Sequence, residues 1–206
     1  VRVSGHLRPL GDASWRLVPV AGTALDLTAS ADLVETPKAL DRGIGYTLLA
    51  AGLEQQFGER FTVTGLAGWQ TFSDGNARPH VRARLIWLAV PDDGITLQLR
   101  YRQYATRQTD VDGAYFNPED YRQWLGVAAI RKRYAGWIFS GALGAGPEFI
   151  TGAEAHTTYL AQARAEGVIA GNVQLALHAS YNQSVGFIDS PDYAYRIFGV
   201  TLIVPF

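Results

Sequence analysis

Ile95-Thr96-Leu97-Gln98-Leu99-Arg100-Tyr101-Arg102 changes character at every residue. Ile95, Leu97, Leu99 and Tyr101 fall on one face of an extended chain, and Thr96, Gln98, Arg100 and Arg102 fall on the other. Successive side chains of a strand point to opposite sides, so this is the pattern of a strand with one apolar and one polar face. The same period runs outward in both directions. Leu25, Leu27, Ala29, Ala31 and Leu33 oppose Asp26, Thr28, Ser30 and Asp32. Val173, Leu175, Leu177, Ala179 and Tyr181 oppose Gln174, Ala176, His178 and Ser180, and Phe198, Val200, Leu202, Val204 and Phe206 share a face of the last segment. No window carries a convincing helical period.

Twelve strands are expected, over 1–9, 14–21, 24–34, 43–57, 60–72, 77–90, 94–105, 120–133, 136–149, 157–169, 172–183 and 192–206. Spread over the chain, that leaves about 17 residues for each strand and its connection, enough for the roughly 9–11 that cross a bilayer plus a loop. Pro9 and Pro19 interrupt ladder pairing, so the first two segments suit edges. Tight connections (Gly58-Glu59-Arg60, Pro91-Asp92-Asp93-Gly94, Tyr134-Ala135-Gly136, Ala170-Gly171-Asn172) alternate with longer polar ones at 35–42, 73–76, 106–119, 151–156 and 184–191. A barrel with one rim in the periplasm and the other outside shows this alternation.

Composition narrows the function classes. The chain has 206 residues, 48% of them hydrophobic, and a formal net charge of −1, which gives no global argument for nucleic acid. Cysteine is absent, so disulfides, thiolate metal sites and cysteine nucleophiles are excluded. Methionine is absent and the chain opens on Val1, as expected of a processed chain or part of a longer one whose signal peptide is gone. No apolar run approaches the roughly 20 residues of a membrane helix, which leaves a barrel as the way to satisfy every backbone group in hydrocarbon. A soluble sandwich or lipocalin-like barrel would put its polar residues outside. Here one face is nearly continuously apolar, the other carries charge, and Trp69, Trp87 and Trp137 sit towards strand ends like an interfacial girdle. The expectation is an all-β, transmembrane antiparallel up-and-down β-barrel of about twelve strands. It would occupy 1–206 as a single domain in the bacterial outer membrane, with both termini in the periplasm.

Two stretches resemble known families. Tyr195-Arg196-Ile197-Phe198-Gly199-Val200-Thr201-Leu202-Ile203-Val204-Pro205-Phe206 resembles the terminal signature of outer-membrane proteins, which implies that Phe206 is read by the barrel-insertion machinery. Gly113-Ala114-Tyr115-Phe116-Asn117-Pro118-Glu119-Asp120-Tyr121 resembles the Gly-Tyr-Phe-Ser-Pro-Gln-x-Tyr segment of barrel domains fused to tetratricopeptide repeats, the cellulose synthase outer-membrane subunit type. Ala114 is inserted and Asn117 replaces the serine. Glu35-Thr36-Pro37-Lys38-Ala39-Leu40 and Phe72-Ser73-Asp74-Gly75-Asn76 fit the same family in order. The resemblance implies export of an exopolysaccharide through the lumen, guided by periplasmic repeat proteins. It implies outer-membrane lipid and lipopolysaccharide as surroundings. No repeat of about 34 residues occurs in this chain.

If the apolar stripe faces lipid, Arg82, Arg84, Arg100, Arg102 and Arg164 point inward, joined by Arg2, His6 and Arg8 if the first segment spans. Asp26, Asp32, Glu54, Glu148 and Glu166 are the inward acids. The expected pathway is Arg82, Arg84, Arg100, Arg102, Arg164, Glu166 and His178, passing an anionic sugar or phosphate because guanidinium pairs with such groups in fork geometry. The alternative is that these arginines pair with lumen acids and only stiffen the wall, as in a closed structural barrel that anchors a surface or periplasmic complex.

His178, Ser180 and Asn182 share a strand face and are loosely similar to the His-x-Ser-Asn motif of outer-membrane lipid A deacylases, with Tyr181 inserted. A lipid hydrolase is therefore the third reading; polar lumen residues explain the trio more simply. His6, His80, His156 and His178 lack metal-ligand spacing, and Asp110 and Asp112 before Gly113 are too few for a calcium loop. Ser140, Ala142, Gly144 and Gly146 make an inward strip of small residues, expected to accommodate bulky Tyr and Trp of neighbouring strands, or else to let a plugging loop or a threaded chain come close. No cofactor and no catalysis are expected.

Overall fold

A computed structural model describes residues 2–108, 110–184 and 193–204. A short hairpin, β1 (Arg2–Val3) with β2 (His6–Leu7), precedes eleven long strands. These are β3 (Gly11–Val20), β4 (Thr23–Leu33), β5 (Gly45–Phe57), β6 (Phe61–Phe72), β7 (Ala77–Val90), β8 (Ile95–Ala105), β9 (Asp120–Tyr134), β10 (Trp137–Ile150), β11 (His156–Ala170), β12 (Val173–Ser184) and β13 (Tyr193–Ile203). Each pairs antiparallel with its sequence neighbours, in the order β3 to β13. Among the described residues β3 and β13 do not pair with each other. The sheet is nonetheless strongly curved, because side chains from β4 to β9, β11 and β12 line one cavity.

The tight connections have the backbone such turns demand. Ala135 and Gly136 both have positive φ (49° and 81°) between the paired Tyr134 and Trp137, as a two-residue hairpin with right-handed strand twist requires. Gly94, at φ 63°, closes the Pro91–Gly94 turn against the backbone of Arg131, where a side chain would have no room. All short turns lie at one rim, and the connections at 34–44, 73–76, 106–119 and 151–155 lie at the other.

Burial settles which solvent the outer face wants. Leu49, Leu97, Leu99, Leu143 and Val200 are 60%, 42%, 47%, 68% and 72% exposed on mid-strand positions of four different strands. A water-soluble chain would not leave such a surface bare; hydrocarbon covers it without cost. Phe61 stacks on Trp87 near the short-turn rim, and Trp69, Trp124 and Tyr101 face outward towards the other. Phe61 and Trp69 are roughly 27 Å apart along β6 at the usual strand rise, near the height of a bilayer's apolar band once tilt is allowed for. The apolar cluster that is truly buried is small and lies under the long loops: Ala39, Ile44, Phe72, Ala114 and Tyr115, flanked by Val34, Tyr46 and Val111.

Three expectations are corrected. Segment 1–9 is not a spanning strand: Gly5 turns the chain back after two residues, and Ser4 Oγ donates to the Leu40 carbonyl while Arg8 Nε donates to that of Gly43. Arg2, His6 and Arg8 therefore belong to a rim hairpin and not to the lumen wall. The described residues carry eleven spanning strands, in keeping with about twelve, but β3 begins at the long-loop rim while β13 ends at the short-turn rim, so the two ends of the sheet do not share a side as both termini in the periplasm would require. Finally, one helical turn, α1 (Pro37–Asp41), interrupts the first long loop. Thr36 caps it by accepting from the Ala39 N–H, and Pro37 occupies a first-turn position where no donor is needed.

Candidate functional site: a lumen wall and its lid

The inward arginines stand where the period places them, but they do not behave alike. Arg164 donates to Glu166 Oε2 from Nε at 2.9 Å and from Nη2 at 2.6 Å, on its own strand. Asp26 and Glu54 are both held by Arg16, at 3.6 Å and 3.3 Å. Arg16 is an inward residue of β3 that the sequence pattern did not single out. These are the wall-stiffening pairs of the second reading.

On β7 and β8 the arrangement differs. Arg84 faces Arg100 and Arg82 faces Arg102 across the ladder, two like-charged pairs directly opposite one another. Among the described residues no carboxylate pairs with any of the four. Arg84 and Arg100 instead converge on one neutral atom. Gln98 Oε1 accepts from Arg84 Nη2 at 2.7 Å and Arg100 Nη2 at 2.8 Å, with each Nε at 3.2 Å. Gln98 Nε2 donates to Thr96 Oγ1 at 3.1 Å, which holds the amide oxygen towards the arginines. Arg102 donates to the Tyr121 hydroxyl and sits 4.9 Å over its ring. The four arginines border a cavity of about 570 Å³, which Asp26, Glu54, Thr64, Gln123, Thr158 and others complete. A second cavity of about 630 Å³ continues towards the short turns past Arg131, Gln162, Arg164, His178 and Ser180.

The remaining site expectations are placed as follows. His178 lies over Gly199, its cross-strand partner, and opposite Arg164. Among the described residues no hydrogen bond joins it to Ser180, and Ser180 pairs across the ladder with Gln162, so the geometry supplies no activated nucleophile. His80 lies likewise over Gly68. Glu148 is buried and accepts from Gln123 Nε2 at 3.0 Å; Thr158 Oγ1 accepts from the same amide at 3.2 Å. Phe206 lies outside the described residues. Asp110 and Asp112 gather no third acid: among the described residues no cluster fit for a metal occurs.

The 106–119 loop, polar in sequence, packs down on its neighbours at the long-loop rim like a lid. Tyr115 stacks on Phe72 at 4.6 Å between centroids, and Phe116 meets Tyr121 edge-on at 6.2 Å. Arg78 lies beneath, within 5.0–5.8 Å of the rings of Phe72, Tyr104 and Tyr115, and donates to the Phe116 carbonyl at 2.6 Å. Asn76 pins the loop: its Oδ1 accepts from the N–H groups of Ala77 and Gln108, and its Nδ2 donates to Tyr115 Oη and Asn117 Oδ1. From the α1 side, Thr36 donates to the Ala114 carbonyl, while Lys38 and Arg42 both pair with Asp112. Those two cations hold the Asp112 carboxyl below its usual range. The signal for a lid was present in Tyr115 and Phe116, two aromatics in a polar loop.

Burial pushes the Tyr115 hydroxyl up to about 12; the amide of Asn76 opposes the rise, and Asp74, which accepts its proton at 2.9 Å, adds to it. A raised pKa means that the docked lid favours the protonated phenol. Its contribution is whole below the free-tyrosine value near 10 and is lost as pH climbs through about 12. Limited proteolysis of the loop should therefore accelerate over that window, and Tyr115→Phe should lack that step.

Two solved structures share this fold. A structure described as a bacterial polysaccharide outer membrane secretin matches with a TM-score of 0.74 and 13% identity, over 93% of this chain and 67% of that one. The crystal structure of the outer membrane channel DcaP of Acinetobacter baumannii matches with a TM-score of 0.53 and 11% identity, over 98% of this chain and 64% of that one. The chain thus spans about two thirds of each neighbour's length. No family model and no curated protein sequence matches. With the bare apolar exterior and the polar interior, this defines the class: an outer-membrane-type, transmembrane antiparallel β-barrel fold.

Proposed function

We propose that this chain forms the wall of a bacterial outer-membrane passage through which a polymer, an exopolysaccharide, leaves the cell by guided diffusion and without catalysis. The observation that carries this reading is the pair of cavities, edged by arginines, glutamines and acids, that run along the inner face towards the short turns. Many weak polar and aromatic contacts admit a chain and let it go, whereas one tight site would trap it. Arg82, Arg84, Arg100, Arg102, Arg164, Glu166 and His178 would line the path.

The resemblance at 113–121 and the description of one structural neighbour as a polysaccharide secretin support the choice of cargo. The same resemblance supports periplasmic tetratricopeptide-repeat proteins as partners upstream; the fold supports lipid and lipopolysaccharide around the barrel, and the terminal signature at 195–206 supports the insertion machinery acting through Phe206. A second reading, a closed barrel that anchors a complex, draws on the packed lid, whose Tyr115 is only 4% exposed.

Planar-bilayer conductance of the folded protein decides between them. Steady current, increased when the lid is loosened, is the expected result. Silence in both the native protein and a lid-loosened variant overturns the passage and leaves the anchor.

A further inference from the structure

The four central arginines belong to a longer track. On β9, Arg131 and Arg133 share the inward parity of Gln123 and Val127: Arg131 borders the lower cavity, and Arg133 borders a third one beside Arg164 and Gln174. Read upward from the short turns, the inner face of β7–β9 offers Arg133, Arg131, the Arg84/Arg100 rung, the Arg82/Arg102 rung, and Arg78 under the lid. The two central rungs are roughly 7 Å apart at the strand rise; Arg78 stands four residues above Arg82, roughly 14 Å, and Arg131, level with Gly94, lies roughly 20 Å below Arg100. Among the described residues none of these seven forms an ion pair with a carboxylate. The acids Asp26 and Glu54 face them from the β4–β5 side of the cavity, already bound to Arg16.

We propose that this wall is a binding track for a polysaccharide bearing repeated oxyanions, carboxylate or phosphate; the inference rests on the passage reading and names its cargo. The chemistry at Gln98 carries it. An amide oxygen has two lone pairs, yet four guanidinium N–H groups point at Gln98 Oε1. Each guanidinium has three further donors. Two cations on one neutral acceptor are under-bonded and unneutralised, and they sit on a half-buried wall where charge is screened less than at an open surface. A carboxylate or phosphate of the cargo meets both needs in fork geometry. If the wall only required stiffening, a glutamate at 98 would serve better, as Glu166 does for Arg164. The two central rungs offer successive forks to a ligand with repeated anions, and Arg78 above and Arg131 and Arg133 below give further cationic anchors along the same face.

The test uses the whole chain folded in detergent and titrated calorimetrically at low salt with three probes: an oligogalacturonate, a polyphosphate and a neutral cello-oligosaccharide. Binding of either anion, and not of the neutral chain, is expected; which anion binds tells uronate from phosphate. Gln98→Glu conserves shape and gives the two arginines a resident carboxylate, so anion affinity should fall by about ten-fold or more, the usual worth of a charge-assisted hydrogen bond. Arg84→Gln with Arg100→Gln should do the same. Equal binding of the neutral oligosaccharide, or anion binding indifferent to both variants, overturns the track. Because calorimetry needs no current, a protein that binds anions but never conducts would refute the passage alone. One that conducts but binds no anion would refute the track alone.

Discussion

Asn76→Ala should free the 106–119 lid from the barrel mouth. Asn76 is 1% exposed, and its amide is the hub of the loop's hydrogen bonds. Removing the amide strands the Gln108 N–H, deprives the Tyr115 hydroxyl of its donor and leaves Asn117 Oδ1 without its partner. Buried groups left unsatisfied cost about 1–3 kcal/mol each, and partial relaxation of a loop recovers some of that, so a loss of about 2–4 kcal/mol in lid docking is expected. Barrel strands make their own ladders and should be little affected. Hydrogen exchange should therefore quicken across 106–119 while β5–β9 stay protected, and conductance should rise together with proteolytic nicking of the loop. Unchanged exchange in the loop would mean that the Thr36 and Asp112 contacts from the α1 side suffice to hold it.

The second large effect is expected at Tyr121. Its ring is 1% exposed, stacks on Tyr104 at 4.5 Å, meets Phe116 edge-on and lies under the Arg102 guanidinium. Tyr121→Ala removes the floor on which the lid rests and the partner of one arginine rung. Truncation of a buried aromatic costs about 3–5 kcal/mol, with a cavity that rigid strands cannot close. Tyr121→Phe keeps the stack and loses the hydroxyl that accepts from Arg102, about 1–3 kcal/mol. Thermal unfolding in detergent should rank native, Phe and Ala in that order. Equal losses for Phe and Ala would assign the stability to the hydroxyl and not to the packing.

The two halves of this structure were unequally legible in the sequence. Strand bounds were readable because a lipid-facing wall forces a strict period of two: the segment expected at 77–90 is β7, Ala77–Val90. The same period oriented Arg82, Arg84, Arg100 and Arg102 correctly. Segment 1–9 misled because an alternation of a few residues around Gly5 and Pro9 is too short to distinguish a spanning strand from a rim hairpin. Partnership was not legible at all. Arg16 and Glu54 are 38 positions apart, and which acid satisfies which arginine depends on a register that alternation does not encode. Thr36 before Pro37 was a sound cap signal, but one turn of helix is too brief to leave a period. The lid was hidden for a related reason: loops are read as polar surface, and only the three-dimensional path of 106–119 brings Tyr115 and Phe116 over Phe72 and Tyr121.

The glycines opposite His80 and His178 have a bearing on calibre. Gly68 and Gly199 let an imidazole recline on the inner wall, in space that a Cβ would occupy. With alanine in either place the ring must swing upright and project towards the axis. Two missing methyl groups therefore set how close two imidazoles lie to the inner face of the sheet at two separate places, and restoring either one would push a ring off that face.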